Sequence, residues 1–66
     1  MIWTVTLSGA HWRDVDPSLF REHQTVPDWS TVECDEVDVS GEMVELRRGE
    51  LKLLVPCGAI LAAIKA

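Results

Sequence analysis

Two histidines and two cysteines are the side chains best suited to metal binding or nucleophilic catalysis. They are His11, His23, Cys34 and Cys57, at successive intervals of 12, 11 and 23 residues. Structural zinc sites take their ligands in close pairs, a few residues apart, and a disulfide framework requires more than two cysteines. We therefore predict no metal and no cofactor, and we interpret both cysteines as small buried apolar groups.

A cysteine nucleophile would have to meet its histidine through the fold, for example Cys57 with His23. No serine lies in a nucleophile elbow, and no glycine-rich loop is suited to hold phosphate. A chain of 66 residues also leaves little room for a substrate pocket of about 300–1,000 Å³. We therefore expect a protein that is not an enzyme.

Carboxylates dominate the middle of the chain. Seven lie between residues 28 and 45 with no lysine or arginine among them: Asp28, Glu33, Asp35, Glu36, Asp38, Glu42 and Glu45. We call the densest group the acidic strip: Glu33, Asp35, Glu36 and Asp38. Such a strip can steer a basic protein by long-range attraction, in one form by imitating nucleic-acid phosphates as small phage-encoded inhibitors do. The alternative is a solvated outer face that keeps a small protein soluble.

Three tryptophans in 66 residues are a second indication of binding. Trp3 is expected in the core, whereas Trp12 and Trp29 lie in irregular sequence. Aromatic residues on loops are candidate partner anchors, and they are equally candidates for lids over a small core. We therefore place the partner-binding surface on the acidic strip together with Trp12 and Trp29. The competing hypothesis is a small-ligand-binding homo-oligomer with a subunit-interface pocket lined by Arg13, His23 and Trp29.

The bulk composition limits the classes of partner. The length predicts a single small domain, residues 1–66, and the net charge of −5 disfavours direct binding to nucleic acid or an anionic membrane. The longest apolar run, residues 53–64, is too short to span a bilayer, and the N-terminus does not resemble a secretory leader. We expect a cytoplasmic protein whose preferred partner is a basic protein, with a homodimer also plausible because small domains have marginal cores.

Two segments near the N-terminus have clear local patterns. Residues 1–9 are rich in β-branched and aromatic side chains, and Trp3, Val5 and Leu7 share one face of the predicted strand. Residues 16–24 predict a short helix, because Asp16 can cap it and Pro17 suits its first position.

The second half of the chain predicts further strands. The apolar phase changes between Cys34 and Val37, which indicates either a β-bulge or two strands with a turn at Asp35. Residues 40–42 predict a turn, and residues 45–53 predict a hairpin with Arg48 and Gly49 as its loop. The segment 59–66 fits either a strand or a helix.

These elements together predict a mainly β fold. It is a small bent antiparallel sheet or a five-stranded SH3-like barrel with one short helix in the first long connection. The resemblance to an SH3-like barrel is one of architecture, because the expected order ends with a tight turn between the last two strands. No sequence motif carries it, and it implies no function.

Overall fold

The computed structural model describes residues 2–66 and is mainly β, as the sequence predicts. Its strands are β1 (Trp3–Ser8), β2 (Phe20–Glu22), β3 (Trp29–Cys34), β4 (Glu36–Ser40), β5 (Met43–Arg48), β6 (Leu51–Pro56) and β7 (Ile60–Lys65). The first connection contains one short helix, α1 (Trp12–Val15), and a 3₁₀ turn at Cys57–Ala59 separates β6 from β7. The segment left open by the sequence, 59–66, is therefore largely a strand.

The strands form two small antiparallel sheets. The first sheet has the order β2-β3-β1-β7 and the second has the order β4-β5-β6. In each sheet the outermost strands are paired on one side alone, so the sheets do not close into a barrel. The predicted mainly β, antiparallel architecture is confirmed, with the strands divided between two sheets, and the closed five-stranded barrel is wrong.

The hydrophobic core lies between the inner faces of the two sheets. Val5 and Leu7 of β1 are fully buried, as the alternation of that strand predicts. The other core residues come from both sheets: Phe20, Val32, Cys34, Val44, Leu46 and Val55. Burial of one such aliphatic or aromatic side chain stabilises the fold by about 1.5–3 kcal/mol. The core therefore holds the two sheets together.

The chain crosses from the first sheet to the second at Asp35. Cys34 pairs with Trp3 in the first sheet, whereas Glu36 pairs with Arg47 in the second. The Asp35 N–H also donates to the Arg47 carbonyl at 2.7 Å. The phase change seen in the sequence is therefore a bend between two strands of different sheets.

The β5–β6 hairpin forms, but its predicted loop is wrong by one residue. Arg48 pairs with Leu51 and Leu46 pairs with Leu53, so the loop is Gly49 and Glu50. Gly49 has φ +60°, and none of the non-glycine residues in the range 2–66 has positive φ. A two-residue turn with glycine first requires positive φ at that glycine alone. Arg48 therefore stays in the strand.

The predicted helix over residues 16–24 is wrong. The Asp16 carboxylate accepts hydrogen bonds from the Ser18 N–H, the Ser18 hydroxyl and the Leu19 N–H at 3.1, 2.7 and 3.2 Å. These contacts are those of a helix N-cap, but they close a single turn, because Phe20 pairs with Val32 of β3 and not with a further helical turn. The Ser18 hydroxyl, the largest influence, lowers the pKa of Asp16. The chain then enters β2 at Phe20, and the helix of this connection lies earlier, at Trp12–Val15.

Among residues 2–66, no helix is both long enough and apolar enough to pass through a membrane.

Candidate functional site: an acidic edge strand

β4 is an edge strand that carries two exposed carboxylates on its outer face. Glu36 and Asp38 are two residues apart, so they project from the same face of the strand. Val37 and Val39 project from the opposite face, where Val37 is half-buried and Val39 is 65% exposed. Because β4 pairs with β5 alone, its other edge is open.

The open edge of β4 presents the backbone groups of Val37 and Val39. The two-residue loop at 41–42 makes Ser40 and Met43 the closing pair of the β4–β5 hairpin, and such a pair is hydrogen-bonded. Hydrogen-bonded pairs then alternate along an antiparallel ladder. The N–H and C=O groups of Val37 and Val39 therefore point away from β5.

Arg47 of β5 lies beside the carboxylates of β4. Its Nη2 atom is 2.6 Å from Glu36 Oε2 and 3.9 Å from Asp38 Oδ2, and its Nε atom is 3.5 Å from Glu45 Oε1. The Nε atom is buried and makes no hydrogen bond with the described residues. One guanidinium thus faces three carboxylates. The segment 28–45 has no lysine or arginine of its own, and Arg47 of the next strand neutralises part of its negative charge. Negative charge remains in excess at this edge of the sheet.

The structure divides the acidic strip between three environments. Glu33 belongs to the outer face of the first sheet, where it pairs with Thr4. Asp35 lies at the bend, and its carboxylate accepts a hydrogen bond of 2.8 Å from the Gly49 N–H. Glu36 and Asp38 remain as the two acids that share one exposed strand face.

The Trp12 side chain packs against the core. Its Nε1–H donates to the Ser8 carbonyl at 3.0 Å, and its ring centroid is 5.7 Å from that of Phe20. These contacts place the half-buried indole against the core, as the lid interpretation predicts, and its role as a partner anchor stays a prediction.

Arg13, His23 and Trp29 are brought together, as the ligand-pocket hypothesis requires. The Arg13 guanidinium donates to the carbonyls of Trp29 and Pro27 at 3.2 and 2.9 Å. The His23 ring meets the Trp29 ring edge-on at 5.1 Å. Its Nδ1 also accepts the Val26 N–H at 3.1 Å. These contacts fix the loop between β2 and β3, at the end of β3 far from β4.

An open groove of about 540 Å³ runs over the outer face of the first sheet. It is lined by Thr4, Thr6, Arg21, Glu22, His23, Gln24, Thr31, Glu33 and Ile64. His23 is the one member of the predicted ligand set that reaches it. Sequence reasoning missed this groove, although the alternation of Thr4 and Thr6 with buried residues indicates a polar outer face.

The two cysteines lie in different environments. Cys34 is buried in the core, whereas Cys57 is exposed in the 3₁₀ turn, and neither is in a disulfide. Burial, followed by the charge of Asp35, raises the pKa of the Cys34 thiol. The prediction that Cys57 is buried is wrong, because the tight turn leaves its side chain in solvent. Within residues 2–66, no three potential ligand side chains come together as a metal site.

Compared with protein-family models, curated proteins and solved structures, the chain shows no match in any of the three.

Proposed function

We propose that the protein is a non-enzymatic interaction module that docks an extended basic segment of a partner protein along the open edge of β4. The observation that carries this proposal is the placement of Glu36 and Asp38 on an edge strand. The unpaired backbone groups of Val37 and Val39 lie beside them. An extended peptide that adds to such an edge gains main-chain hydrogen bonds, and its alternate side chains supply specificity.

The geometry specifies the pattern of the docked segment. Residues that pair with Val37 and Val39 would exchange hydrogen bonds with them, and their side chains would join the inner, apolar face. Residues opposite Glu36 and Asp38 would form the closer, non-hydrogen-bonded pairs, with Cα atoms about 4.5 Å apart. Cross-strand pairs of opposite charge contribute about 0.2–1 kcal/mol each. The preferred segment therefore alternates basic and apolar residues.

The probe for this proposal is an acetylated heptapeptide in which lysine and valine alternate. Its matched control has the same composition with the lysines grouped at one end, so charge is conserved and alternation is lost. We expect the alternating peptide to bind more tightly, with an affinity that falls as salt is raised, because exposed charges are screened. If both peptides bind with equal affinity, the interaction is nonspecific charge attraction, and the proposal is contradicted.

A pair of double variants tests the location of the site. Glu36→Gln with Asp38→Asn should weaken the alternating peptide about tenfold, since two charge pairs are lost. The double variant Glu42→Gln, Glu50→Gln is the control, because it removes the same two negative charges from two turns outside β4. Its affinity for the alternating peptide should stay within about twofold of the wild-type value. If both double variants behave alike, the carboxylates of β4 serve only to keep the edge solvated.

A second candidate function is small-ligand binding in a homo-oligomer. The outer-face groove favours it, because about 540 Å³ falls within the range of ligand sites, about 300–1,000 Å³. Thr31→Val in the floor of the groove would alter binding of a polar ligand with little effect on β4. A screen of small polar compounds by NMR, with shifts confined to Thr4, Thr6 and Thr31, would support this function over the first.

We propose a likeness of architecture to an SH3-like domain, supported by the 3₁₀ turn between the last two strands. This likeness implies no function.

A further inference from the structure

The strand β7 is exposed on both faces and open on one edge. It forms the outer strand of the first sheet and pairs with β1. Every residue from Leu61 to Lys65 is exposed, and Ile64 is 65% exposed although it is apolar. An edge strand that is mostly apolar and exposes its unpaired N–H and C=O groups is a template for pairing with another strand.

The backbone of Ala63 faces this open edge. The Ala66 N–H donates to the Ile2 carbonyl at 2.9 Å, so Ala66 directs its backbone groups toward β1. Hydrogen-bonding direction alternates along an antiparallel strand. Ile64 therefore also faces β1, whereas Lys65 and Ala63 direct their N–H and C=O groups away from it. The register of this pair shifts between Thr6 and Leu7, where Leu61 is the extra residue of β7, so the alternation applies to the residues that follow Leu61.

The charge distribution identifies the side of the molecule on which two copies can approach each other. All 11 acidic side chains lie from Asp14 to Glu50. Residues 1–13 and 51–66, which include β1, β6 and β7, have no acidic side chain, and their charged side chains are those of Arg13, Lys52 and Lys65. Two copies that each have net charge −5 repel one another. This repulsion is smallest where the edges without acids meet.

We propose that β7 pairs antiparallel with β7 of a second copy, about a two-fold axis at Ala63. The two Ala63 residues would exchange both hydrogen bonds at the axis. On the outer face each Ile64 would lie opposite the small Ala62 of the other copy. The pairing joins two four-stranded sheets into one of eight strands and leaves both β4 edges free. It is independent of the proposed docking function.

A second copy fits this edge better than an unrelated strand because the pairing is self-complementary. Two small alanine side chains meet at the axis, and on either side of it the large Ile64 meets the small Ala62 in the closer, non-hydrogen-bonded pairs. The contact is a single pair of short strands, so it falls in the class of small, transient interfaces below about 1,200 Å². We therefore expect association that depends strongly on protein concentration.

Sedimentation equilibrium of the full chain over a range of concentrations tests the pairing. Ala63→Pro removes the outward N–H and leaves the ladder with β1 intact. We expect the dimer dissociation constant to rise about tenfold or more. Val39→Pro is the matched control, since it removes an outward N–H from the open edge of β4 in the second sheet, and it should leave dimerisation unchanged. A monomeric wild-type chain at millimolar concentration, or equal loss of dimer in both variants, would overturn the proposal.

Cysteine cross-linking tests the register independently of proline effects. In a Cys57→Ser background, Ala63→Cys would place two Cα atoms about 5.5 Å apart across the axis, within the range of a disulfide. Ile64→Cys would place its two Cα atoms about 8 Å apart, beyond that range. Mild oxidation should therefore cross-link the first variant and leave the second monomeric on a denaturing gel. Preferential cross-linking of Ile64→Cys, or none in either variant, would contradict pairing at Ala63.

Discussion

The carboxylate of Asp35 accepts a hydrogen bond of 2.8 Å from the backbone N–H of Gly49. This contact joins the bend between the two sheets to the tip of the β5–β6 hairpin. Asp35 is a candidate for partner docking on sequence grounds, and its contact with Gly49 predicts a structural role for it. The acids of the strip therefore differ in environment although they are close together in sequence.

Replacement of Asp35 tests this structural role. Asp35→Ala should lower the free energy of unfolding by about 1–2 kcal/mol, because a hydrogen bond to a charged acceptor is lost. Asp35→Asn keeps an acceptor oxygen and should recover part of the loss. Urea unfolding followed by tryptophan fluorescence measures both, with Glu33→Ala as the control, expected to change stability by less than about 0.5 kcal/mol. Equal stability of Asp35→Ala and Glu33→Ala would argue against the structural role.

The hairpin register can be tested at Arg48. Arg48 is a strand residue in the structure, so Arg48→Gly should destabilise the protein by about 0.5–1 kcal/mol. In the register predicted from sequence, Arg48 would occupy a loop position with positive φ, and glycine there would stabilise. Gly49→Ala should cost about 1–3 kcal/mol because of its φ of +60°. Thermal unfolding of the two variants decides the register by the sign of the Arg48→Gly effect.

The two thiols should differ in reactivity. Cys57 is exposed, whereas Cys34 is buried and its thiol has a raised pKa, so less of the reactive thiolate is present. Iodoacetamide at pH 8 should add one group to the folded chain, at Cys57, and two groups in denaturant, as counted by mass spectrometry. Rapid labelling of Cys34 in the folded chain would show that the sheets open locally at β3.

Arg13 provides a test of the ligand-pocket hypothesis. Its guanidinium bridges the carbonyls of Pro27 and Trp29, so Arg13→Ala should destabilise the loop between β2 and β3 by about 1–3 kcal/mol. Arg13→Lys should restore little, because an ammonium lacks the planar fork that reaches two acceptors. Hydrogen exchange at the amides of Val26 and Trp29 reports the loop directly. If the exchange rates of these two amides are unchanged in Arg13→Ala, Arg13 is not needed to hold the loop, and a role in ligand binding is favoured.

The sequence predicts those features that depend on alternation and on turn residues. Val5 and Leu7 are buried because period-two patterning specifies the inner face of a strand, and the turn at residues 40–42 forms at Gly41. The helix prediction failed at Phe20. Asp16 makes the expected capping contacts with the Ser18 and Leu19 N–H groups, but Phe20 pairs with Val32 of β3, so the turn does not continue as a helix. The hairpin loop was misplaced because both registers keep Leu46 on the inner face.

The candidate site was only partly predictable, because pairing between strands decides the environment of each acid. Arg47 lies nine residues from Asp38 in sequence, yet the β4–β5 register places it beside Glu36 and Asp38. The open edge of β4 follows from the sheet order, which no local pattern specifies. Periodicity could identify the face that carries the acids and could not show that the strand has a free edge.

Hydrogen exchange at the amides of Val37 and Val39 is the most direct test of docking along β4. Both N–H groups point away from β5 and should exchange rapidly in the free protein. When the alternating lysine–valine peptide is present at a saturating concentration, the exchange of both amides should slow at least about tenfold. The reason is that each N–H group would donate a hydrogen bond to the added strand. Binding of the peptide with unchanged exchange at Val37 and Val39, while amides elsewhere become protected, would contradict docking at this edge.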